Sequence, residues 1–324
     1  MSPWCGQGRL IHVQEVALRD GLQSEAGFVP TEEKIKCVDR LAASGLRKIE
    51  VSSFVSPRAV PQLADAEAVF QGITRLPGVI YAALVPNVRG MERAIAARAD
   101  EVNLVMSASE SHNRANLRMS CDASFHAIKE AASLAATAGL RVTASLSCSF
   151  GCPFEGEMPA ATILMWCRRL QEEAGIRSLS LCDTTGMAYP ALVHDLVGLV
   201  RQSSPEANLT LHFHNTRGLG LANVFAGLDA GVIHFDAALA GIGGCPYAPG
   251  ATGNICTEDL IHALEVSGYR CGVNLDALIE MAGDLEKLLG HTTPGQVMKA
   301  GRRLRGHLAE KHGPVGPQPI SGRF

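Results

Sequence analysis

A chain of 324 residues with 47% apolar residues has the material for a large buried core, and that hydrophobicity with a formal charge of only −3 excludes disorder. Its 29 basic residues offset 32 acidic ones with no basic stripe, which argues against nucleic acid as a partner. Ten unevenly spaced cysteines without zinc-ribbon pairing read as the reduced thiols of a cytoplasmic protein, not as a disulfide framework.

The opening Met1-Ser2-Pro3-Trp4-Cys5 has no basic segment followed by an apolar run, so no secretion signal is expected, and the strand-like pattern starting near Leu10 leaves no room for a transit peptide. A strand over 11–16 leads to a helix over 31–43 with Thr31 as its N-cap. A strand over 48–52 precedes a helix over 61–71, and a strand over 79–84 precedes a helix over 87–97. The strand at 101–107 leads to an Ala-rich helix, 122–138, stopped by Gly139. Strand 141–147, helix 159–174, strand 177–182, helix 190–201, strand 209–214, helix 219–230 and strand 234–238 continue the alternation. Helices over 257–267 and 275–289 complete the unit. The apolar stretch 218–244 is broken by Asp229, His234 and Asp236, a poor membrane span, so no membrane partner is expected.

Eight strands alternating with helices over about 280 residues predict an α/β fold, a (β/α)₈ TIM barrel with extra C-terminal helices. The barrel is placed at 8–290 and a C-terminal extension at 291–324, whose last part, basic and then rich in Gly and Pro, reads as a mobile tail. A doubly wound open sheet would offer a Gly-rich turn after its first strand, where this chain has Leu18-Arg19-Asp20-Gly21.

Chemistry in such barrels sits at the C-terminal strand ends. There the reading finds Arg19 and Asp20 ending the first strand, Glu50 and Ser52-Ser53 on the second, and Asp183-Thr184-Thr185 after the sixth. The seventh ends in His212-Phe213-His214-Asn215, and Gly243-Gly244-Cys245 and Asn254 follow the eighth. Residues i and i+2 of a strand share a face, so His212 and His214 can grip one metal ion, although two core histidines satisfied by backbone would give the same pattern. Asp20 adds a hard oxygen from a nearby strand and the Asn254 amide oxygen a fourth ligand. Such an N₂O₂ set without thiolate favours Mg²⁺ or Mn²⁺ over structural zinc.

The run Glu15-Val16-Ala17-Leu18-Arg19-Asp20-Gly21-Leu22-Gln23 resembles the opening signature of the 3-hydroxy-3-methylglutaryl-CoA lyases, metal-dependent TIM-barrel enzymes. Ile49-Glu50-Val51-Ser52-Ser53-Phe54 and Gly243-Gly244-Cys245-Pro246-Tyr247-Ala248-Pro249-Gly250-Ala251-Thr252-Gly253-Asn254 are similar to the same family, and the likeness runs from about Val13 to Leu289. The resemblance implies a divalent-metal-dependent retro-Claisen cleavage of an acyl-CoA substrate. It implies that Asp20, His212, His214 and Asn254 hold the ion, that Arg19 lies beside the carbonyl that becomes an enolate, and that Cys245 takes part in proton transfer. Glu50 and Asp183 are then acidic site residues. Gln23 and Arg217 are assigned to substrate binding, although Arg217 reads equally well as an ordinary solvated surface arginine, and a homodimer or higher homo-oligomer is expected.

The chain departs from the family pattern at Ala17-Leu18, Asn215 and Arg217, and its Ser111-His112-Asn113-Arg114 segment is unusually polar. These positions are expected on the pocket rim, where they bear on the acyl group more than on the chemistry. Other readings are a lyase for another branched ester such as citramalyl-CoA, a condensing acyl-CoA synthase, or a barrel kept as a scaffold.

Overall fold

Apolar residues change period along the chain, and each change is a change of element. On helix faces they recur three and four residues apart, as in Ile163, Trp166, Cys167 and Leu170, all buried. On strands they alternate, so Ile49 and Val51 pack outward beneath the helices while Lys48 and Glu50 point to the other face.

The computed structural model describes residues 4–244 and 253–303. In chain order the elements are β1 (His12–Glu15), α1 (Thr31–Ala43), β2 (Lys48–Ser53), α2 (Ala66–Gly72), β3 (Ile80–Val85), α3 (Val88–Ala96) and β4 (Glu101–Ser107). There follow α4 (Glu110–Leu117), α5 (Cys121–Thr137), β5 (Arg141–Ser147), α6 (Ala160–Glu172), β6 (Ser178–Asp183), α7 (Pro190–Ser203), β7 (Asn208–Phe213), α8 (Gly220–Asp229) and β8 (His234–Ala237). The chain continues with α9 (Thr257–Val266), α10 (Leu275–Leu289) and α11 (Val297–Ala300). The strands pair in parallel in sequence order, and β8 closes on β1 with His12 opposite His234. This is the expected (β/α)₈ barrel with additional C-terminal helices.

Barrel interiors of this class are commonly filled by bulky branched side chains. Here the inward positions are polar: Gln14, Lys48, Asn103, Thr143, Thr210 and Asp236 surround a small void on the axis. The apolar core lies instead between the outer strand faces and the helices.

Three local expectations are corrected. Arg19 and Asp20 do not end a strand; they lie on a wide helical turn, residues 17–21, after β1. Pro30, not Thr31, caps α1; the Thr31 hydroxyl donates instead to Asp65 at 2.8 Å. The helix expected at 61–71 breaks into a short turn at Pro61–Leu63 and α2. The polar segment around His112 folds as the start of α4, directly after β4: His112 and Asn113 are buried, and Asn113 accepts from Ser107 N at 2.9 Å and donates to Ser124 Oγ at 2.7 Å. Residues 291–303 pack on the barrel, with Asp259 accepting from the Gln296 and Val297 amides. Residues 304–324, most of the expected tail, lie outside the described residues.

Candidate active site

The turn after β1 is closed by Asp20 N to Val16 O at 2.8 Å and by the longer Gly21 N to Val16 O at 3.3 Å. Wide turns of this kind are frequent at functional sites. Glu15 pins it from below. Its Oε1 accepts from Ala17 N and Leu239 N, both at 2.8 Å, and its Oε2 from the Thr257 hydroxyl at 2.7 Å. Burial pushes the Glu15 carboxyl up to about 7. Glu258 does the same for the next residue, accepting from Ala240 N at 3.1 Å, and burial raises its carboxyl to about 7 as well. Two buried carboxyls thus fix where the chain leaves β8 relative to the Arg19–Asp20 turn.

Asp20 Oδ2 lies 3.6 Å from His214 Nε2 and 3.9 Å from His212 Nε2, and accepts from Asn254 Nδ2 at 2.9 Å. Asn254 reaches this point because residues 253–255 add to the end of β7: Asn215 N donates to Gly253 O at 2.9 Å and Ile255 N to Phe213 O at 3.1 Å. Two glycines make the approach possible. Gly253 has φ +101°, and a Cβ there would sit 2.2 Å from Gly241 O; a Cβ on Gly243, φ +108°, would sit 2.4 Å from Asn254 Nδ2.

The group is electrostatically divided. Burial works against the Asp20 charge, but Arg19, His214 and His212 outweigh it and hold the carboxyl well below the usual range. His212 is raised despite its burial, through Asp236 and Asp20, whereas burial lowers His214. The ligand atoms of Asp20, His212 and His214 lie within 4.8 Å of one another, and Asn254 Oδ1 and His214 Nδ1 are buried without a partner. Hard oxygen and imidazole donors with an unsatisfied amide oxygen beside them fit a divalent cation.

Arg19 bridges this cluster to the barrel interior. Its Nε donates to Glu50 Oε2 at 2.5 Å, and its Nη1 pairs with Asp20. Glu50 is held in turn by Asn103 Nδ2 at 3.0 Å, and Asn103 by the Ser145 hydroxyl at 2.8 Å. Asp236 Oδ2 stands 3.3 Å from His212 Nδ1 and orients that ring. Sequence reading did not assign Asn103, Ser145 or Asp236 to the site. The available signal was that each occupies an inward position of its strand, where an apolar residue is usual.

Asp183 ends β6; its Oδ1 accepts from Met187 N at 2.7 Å, its Oδ2 is buried without a partner, and burial raises the carboxyl to about 6. Arg217 Nη1 donates to Thr185 O at 3.1 Å and Gly186 O at 2.8 Å, which ties the start of α8 to the loop beside Asp183. Asn215 Oδ1 accepts from Gly220 N at 3.0 Å at the same helix start. Gln23, three residues after Asp20, is exposed. Cys245 lies outside the described residues; Gly243, two positions earlier, is packed against the Asp20–Gly21 backbone and Asn254.

Comparison with known proteins places these features in a family. The HMGL-like family model matches residues 11–285. A hydroxymethylglutaryl-CoA lyase of Bacillus subtilis is 42% identical over 289 residues, 88% of this chain and 95% of the relative. The mitochondrial hydroxymethylglutaryl-CoA lyase of Homo sapiens is 40% identical over 294 residues, 91% of this chain and 90% of the relative. The structure of an HMG-CoA lyase from Acinetobacter baumannii, in complex with coenzyme A and 3-methylmalate, superposes with a TM-score of 0.87 at 47% identity, covering 96% of this chain and 98% of that one. The barrel with its Arg19–Asp20 turn therefore belongs to the HMGL-like family.

Proposed function

We propose that this protein is a carbon–carbon lyase that cleaves 3-hydroxy-3-methylglutaryl-CoA to acetyl-CoA and acetoacetate with a divalent cation, Mg²⁺ or Mn²⁺. The observation that carries the reading is the convergence of Asp20, His212, His214 and Asn254 on one point directly joined to Arg19.

In this reading those four residues hold the cation, which when bound acidifies the substrate's tertiary hydroxyl and orients it. Arg19, fixed by Glu50, offers its guanidinium to the thioester oxygen as negative charge builds there during cleavage. Glu50 keeps that guanidinium in one orientation. Asp183, with a carboxyl raised toward neutrality, accepts or holds a proton at the β6 end of the site. Cys245, two residues beyond Gly243, delivers the proton to the enolate carbon, so Cys245→Ala lowers turnover while metal affinity stays. Gln23 and Arg217 contribute to substrate binding at the rim.

The rest of the reading concerns setting. Among the described residues no disulfide joins two cysteines, which suits a reducing, cytoplasmic compartment. Among the described residues no helix is long and apolar enough to cross a membrane. An assembly of two or more copies is tested by light scattering.

The deciding experiment is a cleavage assay on metal-stripped protein, with and without added Mg²⁺ or Mn²⁺, over hydroxymethylglutaryl-CoA, citramalyl-CoA and a methylmalyl-CoA ester. Hydroxymethylglutaryl-CoA is expected to be cleaved fastest, and only with metal. Full activity after verified metal removal, or a clear preference for another ester, would overturn the corresponding part.

A further inference from the structure

At the opposite end of the barrel from Asp20, the N-terminal strand ends open on a cavity of about 350 Å³. Its wall includes the first residues of seven strands: His12, Lys48, Ile80, Glu101, Ser178, Asn208 and His234. Arg47 stands at its edge. This end of a barrel normally serves stability, yet the volume falls in the range of small-ligand pockets.

The polar wall lacks protein partners. Gln14, Ser178, Asn208 and Thr210 face the cavity, and their side chains make no hydrogen bond to other described residues. Glu101 is already committed, accepting from Lys48 Nζ and from the Thr143 hydroxyl. Its charge is thereby answered, while Arg47 makes no ion pair among the described residues. His12 and His234 stack with ring centroids 4.7 Å apart and planes 14° apart. Burial first, then His12 and Lys48, push His234 down to about 4 against the pull of Asp236 and Glu101. Lys48 and Glu101 thus answer each other, and the mouth is a hydrogen-bonding chamber whose one charge without an ion-pair partner among the described residues is Arg47.

We propose that this mouth binds a small polar oxyanion, a carboxylate or phosphate ester, whose charge faces Arg47, with the His234 ring beside it, and whose hydroxyl or amide groups meet Gln14, Ser178, Asn208 and Thr210. A positive concave surface concentrates anions, and a guanidinium matches the paired oxygens of either head group. The chamber lies one layer below the candidate active site. Lys48, Glu101, Thr210 and His234 precede Glu50, Asn103, His212 and Asp236 by two residues on the same strand face.

The test is binding, and it does not depend on the lyase reaction. Inorganic phosphate and, separately, succinate are titrated into the full-length protein, with calorimetry and the His12 and His234 ring resonances as readouts. Saturable binding of either anion is expected, with displacement of both resonances and a rise in the His234 pKa; the anion that binds identifies the head-group class. Arg47→Ala, at an exposed unpaired position, and Asn208→Leu should each weaken affinity by at least about tenfold, as for loss of a hydrogen bond to a charged group. Resonances unmoved by both anions would overturn the proposal. So would affinities unchanged in both variants, which would place the anion elsewhere, for example beside Arg19.

Discussion

Glu50 grips the Arg19 guanidinium from the barrel floor at 2.5 Å through Nε, while its Nη1 pairs with Asp20. An orienting carboxylate of this kind matters most when charge develops on the substrate, because a donor already in place does not have to reorganise. Glu50→Gln should therefore lower kcat by about 10²–10³, the loss typical of one oxyanion donor, with a much smaller effect on KM. Asn103→Leu keeps the volume and removes the hydrogen bond to Glu50; about a tenfold fall in kcat is expected. Steady-state kinetics of both variants, with circular dichroism to verify folding, check this. A rise in KM at constant kcat would assign both residues to ground-state binding.

In the proposed function, Asp236 acts on the cation site through His212. A carboxylate on the far nitrogen of a ligating imidazole sets its tautomer and basicity, and removing it typically costs 10–100-fold in metal affinity. Asp236→Asn should weaken Mn²⁺ binding by about that factor, read by calorimetry or by Mn²⁺ electron paramagnetic resonance. Metal-free thermal stability should change far less. Equal metal affinity in variant and wild type would leave Asp236 as barrel filling.

These two residues also mark how far the sequence could be read. The strands and helices were legible because their apolar positions carry periods of two and three to four, and the His212–Phe213–His214 spacing placed both rings on one face. The Arg19–Asp20 turn was not legible, since its wide hydrogen bond back to Val16 depends on Glu15 and on residues 239–241, more than two hundred positions away. Asn103 and Asp236 were hidden for a related reason. A polar residue on a strand reads as solvent-facing until closure of the barrel turns it inward. The Glu258 contact to Ala240 likewise joins segments whose proximity only the fold supplies.

Glu15 gives a pH prediction with a definite sign. Its carboxyl is raised by burial from 4.5 to about 7 in the folded protein. Below about 4.5 folded and unfolded chains both hold the proton, and the contribution of Glu15 to stability is fully present and constant. Between 4.5 and 7 the unfolded chain has released the proton and the folded one has kept it, so the contribution of Glu15 to stability falls as pH rises. Above 7 the loss is complete. Glu15→Gln retains the acceptor for the Ala17 and Leu239 amides but cannot titrate. Urea unfolding across this pH range should show the wild type losing stability relative to Glu15→Gln as pH rises, by about 1.4 kcal/mol for each pH unit crossed inside that window. Parallel pH curves for the two proteins would refute the assignment.

Arg217 reaches across from the start of α8 to two carbonyls, Thr185 O and Gly186 O, in the loop that follows Asp183. Those two contacts leave the remaining face of its guanidinium free to meet a carboxylate or a phosphate of the CoA ester. They also separate two roles. If Arg217 binds substrate, Arg217→Ala raises KM with little change in kcat, since the contact is present before and during bond cleavage alike. If it only braces the β6–α7 loop, the variant disturbs Asp183 instead, and the acidic limb of the pH profile near 6 moves while KM holds. The expected result is the first, about a tenfold rise in KM for one lost charge-assisted hydrogen bond. Arg217→Lys should recover little of it, because an ammonium cannot span two carbonyls and a substrate oxyanion together. A variant indistinguishable from wild type in KM, kcat and pH profile would make Arg217 an ordinary surface residue.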